Sequence, residues 1–161
     1  MNPQFHSFRK VISQPLKFRW FMISKLPMGF ISGLKLEALD PSAATVSVRF
    51  NRLNQNPFRS IYFAVLSMAA ELSTGVQAFA QVYGRKPSVS MLVVKMNAEF
   101  YKKAVGTIQF TSTDGALIEE AVEKSIATGE GVTVDCTSEG INEESEVVAR
   151  FIFTWSFKAK T

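Results

Sequence analysis

Cysteine and histidine are almost missing from this 161-residue sequence: Cys136 and His6 are the single copies of each. One cysteine forbids an intramolecular disulfide and suits a reducing compartment, so the cytoplasm is the expected location. Its strand-like surroundings, Val132-Thr133-Val134-Asp135 before and Thr137 after, favour a buried structural thiol over a nucleophile. A lone histidine near the start of the sequence excludes, in any ordinary arrangement within one chain, a Ser-His-Asp triad and a multi-histidine metal site. No metal is expected.

Linkers, low-complexity tracts and internal repeats are also missing, and the length suits one domain (1–161) with a substantial core. No secretory leader is expected, because Arg9, Lys10, Lys17, Arg19 and Lys25 interrupt the apolar clusters of residues 5–30. Acids are scarce early on. Through Arg59, nine Lys and Arg face only Glu37 and Asp40, whereas over residues 114–146 ten acids face Lys124 alone. A basic half can attract phosphate on nucleic acid, lipid or a cofactor; it is equally a solvated surface that meets oppositely charged subunits. The cations are not interleaved with aromatics in any recognisable motif, so nucleic acid is not an expected partner.

Hydrophobic periodicity supplies the architecture. Phe8, Val11 and Ile12, then Phe18, Phe21 and Met22, recur at helical spacing beside a basic stripe, with Pro15 at a break. They predict a helical N-terminal extension (1–26), read either as membrane-binding or as a helix packed on the domain edge. Alternation over residues 33–39 and 45–52, around Asp40-Pro41-Ser42, predicts a hairpin. A long helix is predicted over residues 60–83, with Asn56-Pro57 or Ser60 at its start and Gly84 past its end. Ile61 onwards is long enough for a transmembrane span, but Ser67, Glu71, Ser73, Thr74, Gln77 and Gln81 make that costly, so no integral membrane segment is expected. Strands are predicted over 89–100, 107–113, 131–137 and 147–158, with an acidic helix over 119–128. An antiparallel sheet wrapped around one long helix accounts for this order and for a helix apolar on most faces: an α+β class.

Glu71 is the one charge in that helix. A carboxylate in an apolar core must be paired, protonated or near water. Ser67, Met68, Thr74 and Gly75 stack around it as a small, partly polar stripe, while Tyr62, Val65, Leu66, Ala69, Val76 and Tyr83 form a face suited to a sheet. That stripe leaves room for a ligand or a second copy of the helix; a salt bridge or a subunit interface would also satisfy the carboxylate. The first amides of the helix carry partial positive charge and can hold a developing oxyanion, with a carboxylate further along acting as base or nucleophile. Neither role needs histidine or metal.

The stretch Asn56-Pro57-Phe58-Arg59-Ser60-Ile61-Tyr62-Phe63-Ala64, followed by Met68-Ala69-Ala70-Glu71 and later by Asn97-Ala98-Glu99-Phe100-Tyr101-Lys102-Lys103-Ala104-Val105-Gly106, resembles the hotdog thioesterase superfamily. It is nearest to an uncharacterised thioesterase branch close to the phenylacetate-degradation type. The resemblance implies a hotdog fold, with a central helix inside a curved antiparallel sheet of about five to six strands. It also implies an acyl-CoA thioesterase-like activity in a homodimer or homotetramer, with coenzyme A entering as part of the substrate and no separate cofactor. Asn56 falls on the Asn that precedes the helix, Tyr62-Phe63-Ala64 on the His-Gly-Gly element, and Glu71 on the catalytic acid. By the same resemblance Glu71, Asn56 and Tyr62 are catalytic candidates and Phe63 and Ala64 substrate contacts; Ser67 and Thr74, on the small polar stripe, are further candidate substrate contacts. Arg59, Lys102 and Lys103, with Arg85 and Lys86, are candidates for the nucleotide end of coenzyme A. A non-catalytic acyl-CoA or fatty-acid binder on the same scaffold is the alternative, and an enoyl-thioester hydratase is disfavoured by the lack of an internal histidine.

Overall fold

A computed structural model describes residues 2–160. Three short helices come first: α1 (Phe5–Ile12), α2 (Pro15–Lys25) and α3 (Pro27–Ser32). Pro15 and Pro27 stand in first helical turns, where a missing N–H forfeits no intrahelical bond. Strands β1 (Lys35–Leu39) and β2 (Ala44–Arg49) form the expected hairpin. The Asp40 carboxylate holds its turn by accepting from the amides of Ser42 and Ala43 at 2.9 and 2.8 Å. The long helix α4 (Phe63–Val82) precedes β3 (Val89–Phe100), β4 (Thr107–Ser112), α5 (Gly115–Thr128), β5 (Gly131–Ile141) and β6 (Val147–Ala159).

This is the order expected, with two helix starts displaced. The central helix opens at Phe63, because Asn56 and Ser60 are consumed in a tight loop instead of capping it. Asn56 Oδ1 accepts from the amides of Phe58 at 2.9 Å and Ser60 at 3.3 Å, and Gln55 bridges Ile61. Asn and Ser serve turns as readily as caps, and here the turn prevails. The acidic helix starts at Gly115, ahead of residue 119. Gly115 is closely apposed to the Pro41 carbonyl, where any side chain would collide.

The six strands form one antiparallel sheet in the order β1-β2-β4-β5-β6-β3, curved around α4 as the hotdog resemblance implies. Alternation decides which side faces the helix. On β6, Phe151, Phe153, Trp155 and Phe157 point inward and are buried; Phe151 meets Phe110 of β4 with ring centroids 5.7 Å apart and Phe100 of β3 at 5.5 Å. Val65, Leu66, Ala69 and Val76 of α4 are buried as expected, whereas Tyr62 and Tyr83, at the helix ends, are almost half exposed. Thr74 and Ala78 are fully buried as well. The Trp155 indole N–H donates to Thr74 Oγ1 at 2.9 Å, so that part of the small stripe faces sheet.

The N-terminal helices cover what the sheet leaves open. Phe8 meets Phe79 and Tyr83 of α4 at 5.4 and 5.2 Å between centroids, and Phe18, Met22 and Ile12 are buried with it. Asn2 Nδ2 donates to the carbonyls of Ala80 and Tyr83, both at 2.8 Å, satisfying acceptors that a helix end leaves open. The extension therefore packs on the domain and continues through α3. Helix α4 is long and apolar enough to cross a bilayer, yet it lies largely buried within the fold.

Gly140 on β5 lies under the Phe110 ring, where an added Cβ would come within 2.4 Å of Phe110 Cε1; at Gly131 the same addition meets nothing within 4 Å. Gly140→Ala is expected to lose about 1–3 kcal/mol of stability, and Gly131→Ala about 0.5 kcal/mol or less. Urea unfolding of both variants measures the contrast.

Candidate active site

Glu71 lies midway along α4, partly buried, where the N-terminal helices meet the helix. It borders two apolar clefts. The larger, about 240 Å³, lies against Met22, Leu26, Met28, Met68 and Leu72, with Lys25 also lining it. The smaller, about 140 Å³, is walled by Phe8, Phe18, Phe21, Phe79 and Met91. Among the described residues the carboxylate has no ion-pair or hydrogen-bond partner, and burial pushes its pKa up to about 7. The salt-bridged carboxylate that the sequence left open is therefore not found within these residues. Gly75, one turn on, leaves the carboxylate its space: a Cβ there would sit 2.9 Å from Glu71 Oε1.

A second concavity, about 290 Å³, opens at the start of α4 and gathers Asn56, Tyr62, Phe63, Phe100, Lys102 and Lys103. Tyr62 is the N-cap residue in extended conformation, with its ring 4.8 Å from that of Phe63. Its carbonyl accepts from the amides of Val65 and Leu66, while the amides of Phe63 and Ala64 have no acceptor among the described residues. Those two N–H groups form the polarising end of the helix. Asn56 is satisfied inside its own loop, bonding Ser60 through Nδ2 at 3.0 Å. Arg59, in the same loop, has a left-handed backbone at φ 56°.

The remaining candidates are dispersed. Ser67 Oγ donates to the Phe63 carbonyl at 3.1 Å, and Thr74 Oγ1 donates to the Glu71 carbonyl at 3.0 Å while accepting from Trp155, so both hydroxyls are engaged inside the fold. Lys102 pairs with Glu146, and Lys103 is exposed and has no ion-pair partner among the described residues. Arg85 pairs with Glu123 on α5 and donates to the Gln81 carbonyl, and Lys86 precedes Pro87 at the surface. Cys136 is buried on β5; burial and the nearby Asp114 and Asp135 push its thiol up to about 12, which leaves it inert as a nucleophile.

Within one protomer, Glu71 and the helix start do not meet. Nine residues of α-helix separate Tyr62 from Glu71, about 13 Å along the axis and half a turn out of phase. The residues that sequence reasoning missed are the cleft walls Phe8 of α1, Phe18 and Phe21 of α2, and Leu26 between α2 and α3. Their helical spacing was visible, but periodicity does not say what a buried stripe packs on.

Proton bookkeeping at Glu71 predicts a pH dependence. Below about 4.5 the group is protonated folded or unfolded; between about 4.5 and 7 only the unfolded chain releases its proton. Stability therefore falls as pH rises through that window, by up to about 3 kcal/mol, and levels off above it. Glu71→Gln is expected to remove the decline. Urea midpoints measured across the window check this, and parallel curves for the two proteins would refute it.

The same architecture occurs in solved structures. A Pseudomonas aeruginosa protein of unknown function, PA5026, described as a probable thioesterase, superposes with a TM-score of 0.76 at 20% identity, over 93% of this chain and 99% of its own. A Chlorobaculum tepidum protein of unknown function gives 0.75 at 14% identity, over 92% and 98%. The Haemophilus influenzae thioesterase HI1161 gives 0.64 at 13%, over 87% and 88%. At these identities the likeness establishes the hotdog fold alone. No curated protein matches the sequence. The sequence signature, however, matches over residues 16–156, and the chain belongs to the family described as a domain of unknown function, DUF4442.

Proposed function

We propose that this protein is an acyl-CoA thioesterase-like hydrolase in which Glu71 acts as general base or nucleophile. The observation that carries the reading is an unpaired carboxylate, its acidity moved to about 7, on the wall of two apolar clefts. A base works best when its acidity lies near the operating pH. In the general-base route, Glu71 takes a proton from water as the oxygen attacks the thioester carbonyl carbon. The amides of Phe63 and Ala64 hold the oxyanion, with Tyr62 and Asn56 beside them. The C–S bond then breaks, and the departing thiolate recovers the proton. The clefts beside Glu71 receive the acyl group, and the cations Arg59, Lys102 and Lys103 attract the phosphates of coenzyme A. The thioesterases among the fold's relatives support the same chemistry.

Because the base and the oxyanion amides lie about 11–12 Å apart along one helix, the reading requires two copies. Strand β3 supports this: it is a sheet edge of twelve residues, with Leu92, Val94 and Met96 exposed. Long apolar edges of this kind pair with another chain. Antiparallel pairing of two β3 strands about their middles would set the Phe100 end of one beside the Met91 end of the other. Phe100 borders the helix-start concavity and Met91 the Glu71 cleft, so each site would combine the two protomers. The protein is then a cytoplasmic homodimer, or a tetramer built from it. One observation favours the alternative of a non-catalytic acyl-CoA or fatty-acid binder: the bulky side chains of Tyr62 and Phe63 line the concavity at the helix start.

Thiol release from a panel of acyl-CoA chain lengths is expected, with kcat/KM rising through about pH 7. Glu71→Gln is expected to reduce it by about a hundredfold or more. No release at any chain length, together with unchanged acyl-CoA binding by Glu71→Gln, would sink the catalytic claim and leave the binder. Val94→Lys is expected to yield a monomer in sedimentation and to lose activity; an active monomer would show that the two-copy site is wrong.

A further inference from the structure

Helix α2 has two apolar faces, and the fold uses only one. Phe18 and Met22 are buried against the domain, while Leu16, Trp20 and Ile23, spaced by four and three residues, form a stripe on the opposite side. Leu16 is 75% exposed and Trp20 72%. Met28 and Ile31 of α3 extend the exposed apolar surface. Soluble monomers rarely leave such a contiguous patch open.

Its electrostatic frame is one-signed. The first 36 residues contain six Lys and Arg and no Asp or Glu. On a helical projection Lys17 and Arg19 fall on either side of the Leu16-Trp20-Ile23 stripe. Among the described residues, Lys17, Arg19 and Lys25 make no ion pair; Arg19 lies 5.7 Å from the Phe30 ring centroid. An apolar stripe with a tryptophan, bracketed by cations, is the chemistry of a helix lying in a bilayer interface, and anionic headgroups attract such cations. A second copy docking here by a twofold axis would instead set these cations against their own equivalents.

We propose that the outer face of α2 and α3 docks on an anionic phospholipid surface. Trp20, Leu16 and Ile23 enter the headgroup boundary, and Lys17 and Arg19, on either side of them, meet the phosphates. Met28, exposed on α3, also lines the larger Glu71 cleft, so the docked protein would bring that cleft close to the bilayer. The docking itself stands whether or not Glu71 is catalytic.

Flotation of the full chain with phosphatidylcholine vesicles, with and without phosphatidylglycerol, tests it. Wild type is expected to float only with the anionic vesicles and to be released by high salt. Its tryptophan emission should shift to the blue through Trp20, since Trp155 is already buried. Each cation near such a surface contributes about a fivefold factor, so the double variant Lys17→Glu/Arg19→Glu is expected to bind roughly 25-fold more weakly or worse. Trp20→Glu should lose the emission shift and flotation with circular dichroism unchanged, because both sites are exposed. Failure of wild type to float overturns the proposal, as does flotation that neither variant weakens. If vesicles are not bound and Trp20→Glu instead splits a higher oligomer, the face belongs to a second copy and the proposal is equally overturned.

Discussion

A twenty-residue apolar helix with a single charge has to be covered on nearly every side, and the rest of this structure follows from how that covering is divided. The sheet takes the larger share: inward residues of β2, β4, β5 and β6 close on α4, and even the polar Thr74 is accommodated by an indole N–H. The N-terminal helices take the remainder through Phe8, Phe18 and Met22. Glu71 stands at the seam between the two coverings. Neither supplies it with a partner, and desolvation without compensation holds its acidity near neutrality.

That seam is also where the fold retains empty space. Tight packing of α1–α3 against α4 would bury the carboxylate at a cost of several kcal/mol; the aromatic and methionine side chains instead leave two clefts beside it. Gly75 serves the same end, since any larger residue would crowd the carboxylate oxygen. The polarising amides of Phe63 and Ala64 lie at the other end of a rigid helix, and the geometry of α-helix keeps the two apart. An edge strand with a long apolar face, bordering both features, is the element through which a second copy would reunite them.

The N-terminal helices have a double character. Helix α2 carries apolar residues on two opposite faces, yet only its inner face is covered. The cations that flank the uncovered face surround it with positive charge.

Much of this was legible in the residues themselves. Period-two alternation in β2 and β6, the apolar run of residues 61–82, Gly84 beyond it and the lone Glu71 sufficed for element order, class and the central acid, because those signals come from local backbone geometry and from the cost of burying charge. The start of α4 was not legible. Asn56 and Ser60 can close a turn or cap a helix, and only the bridge from Gln55 to Ile61 chose the turn. Nor was the role of Thr74, whose hydroxyl looked available for a ligand until Trp155, far along the chain, claimed it. The sequence by itself determined that this protein would wrap a sheet around a helix carrying one carboxylate. The tertiary structure alone decided that the carboxylate has no partner and borders clefts walled by α1–α3, since which distant side chains share a space depends on packing, and packing is not local.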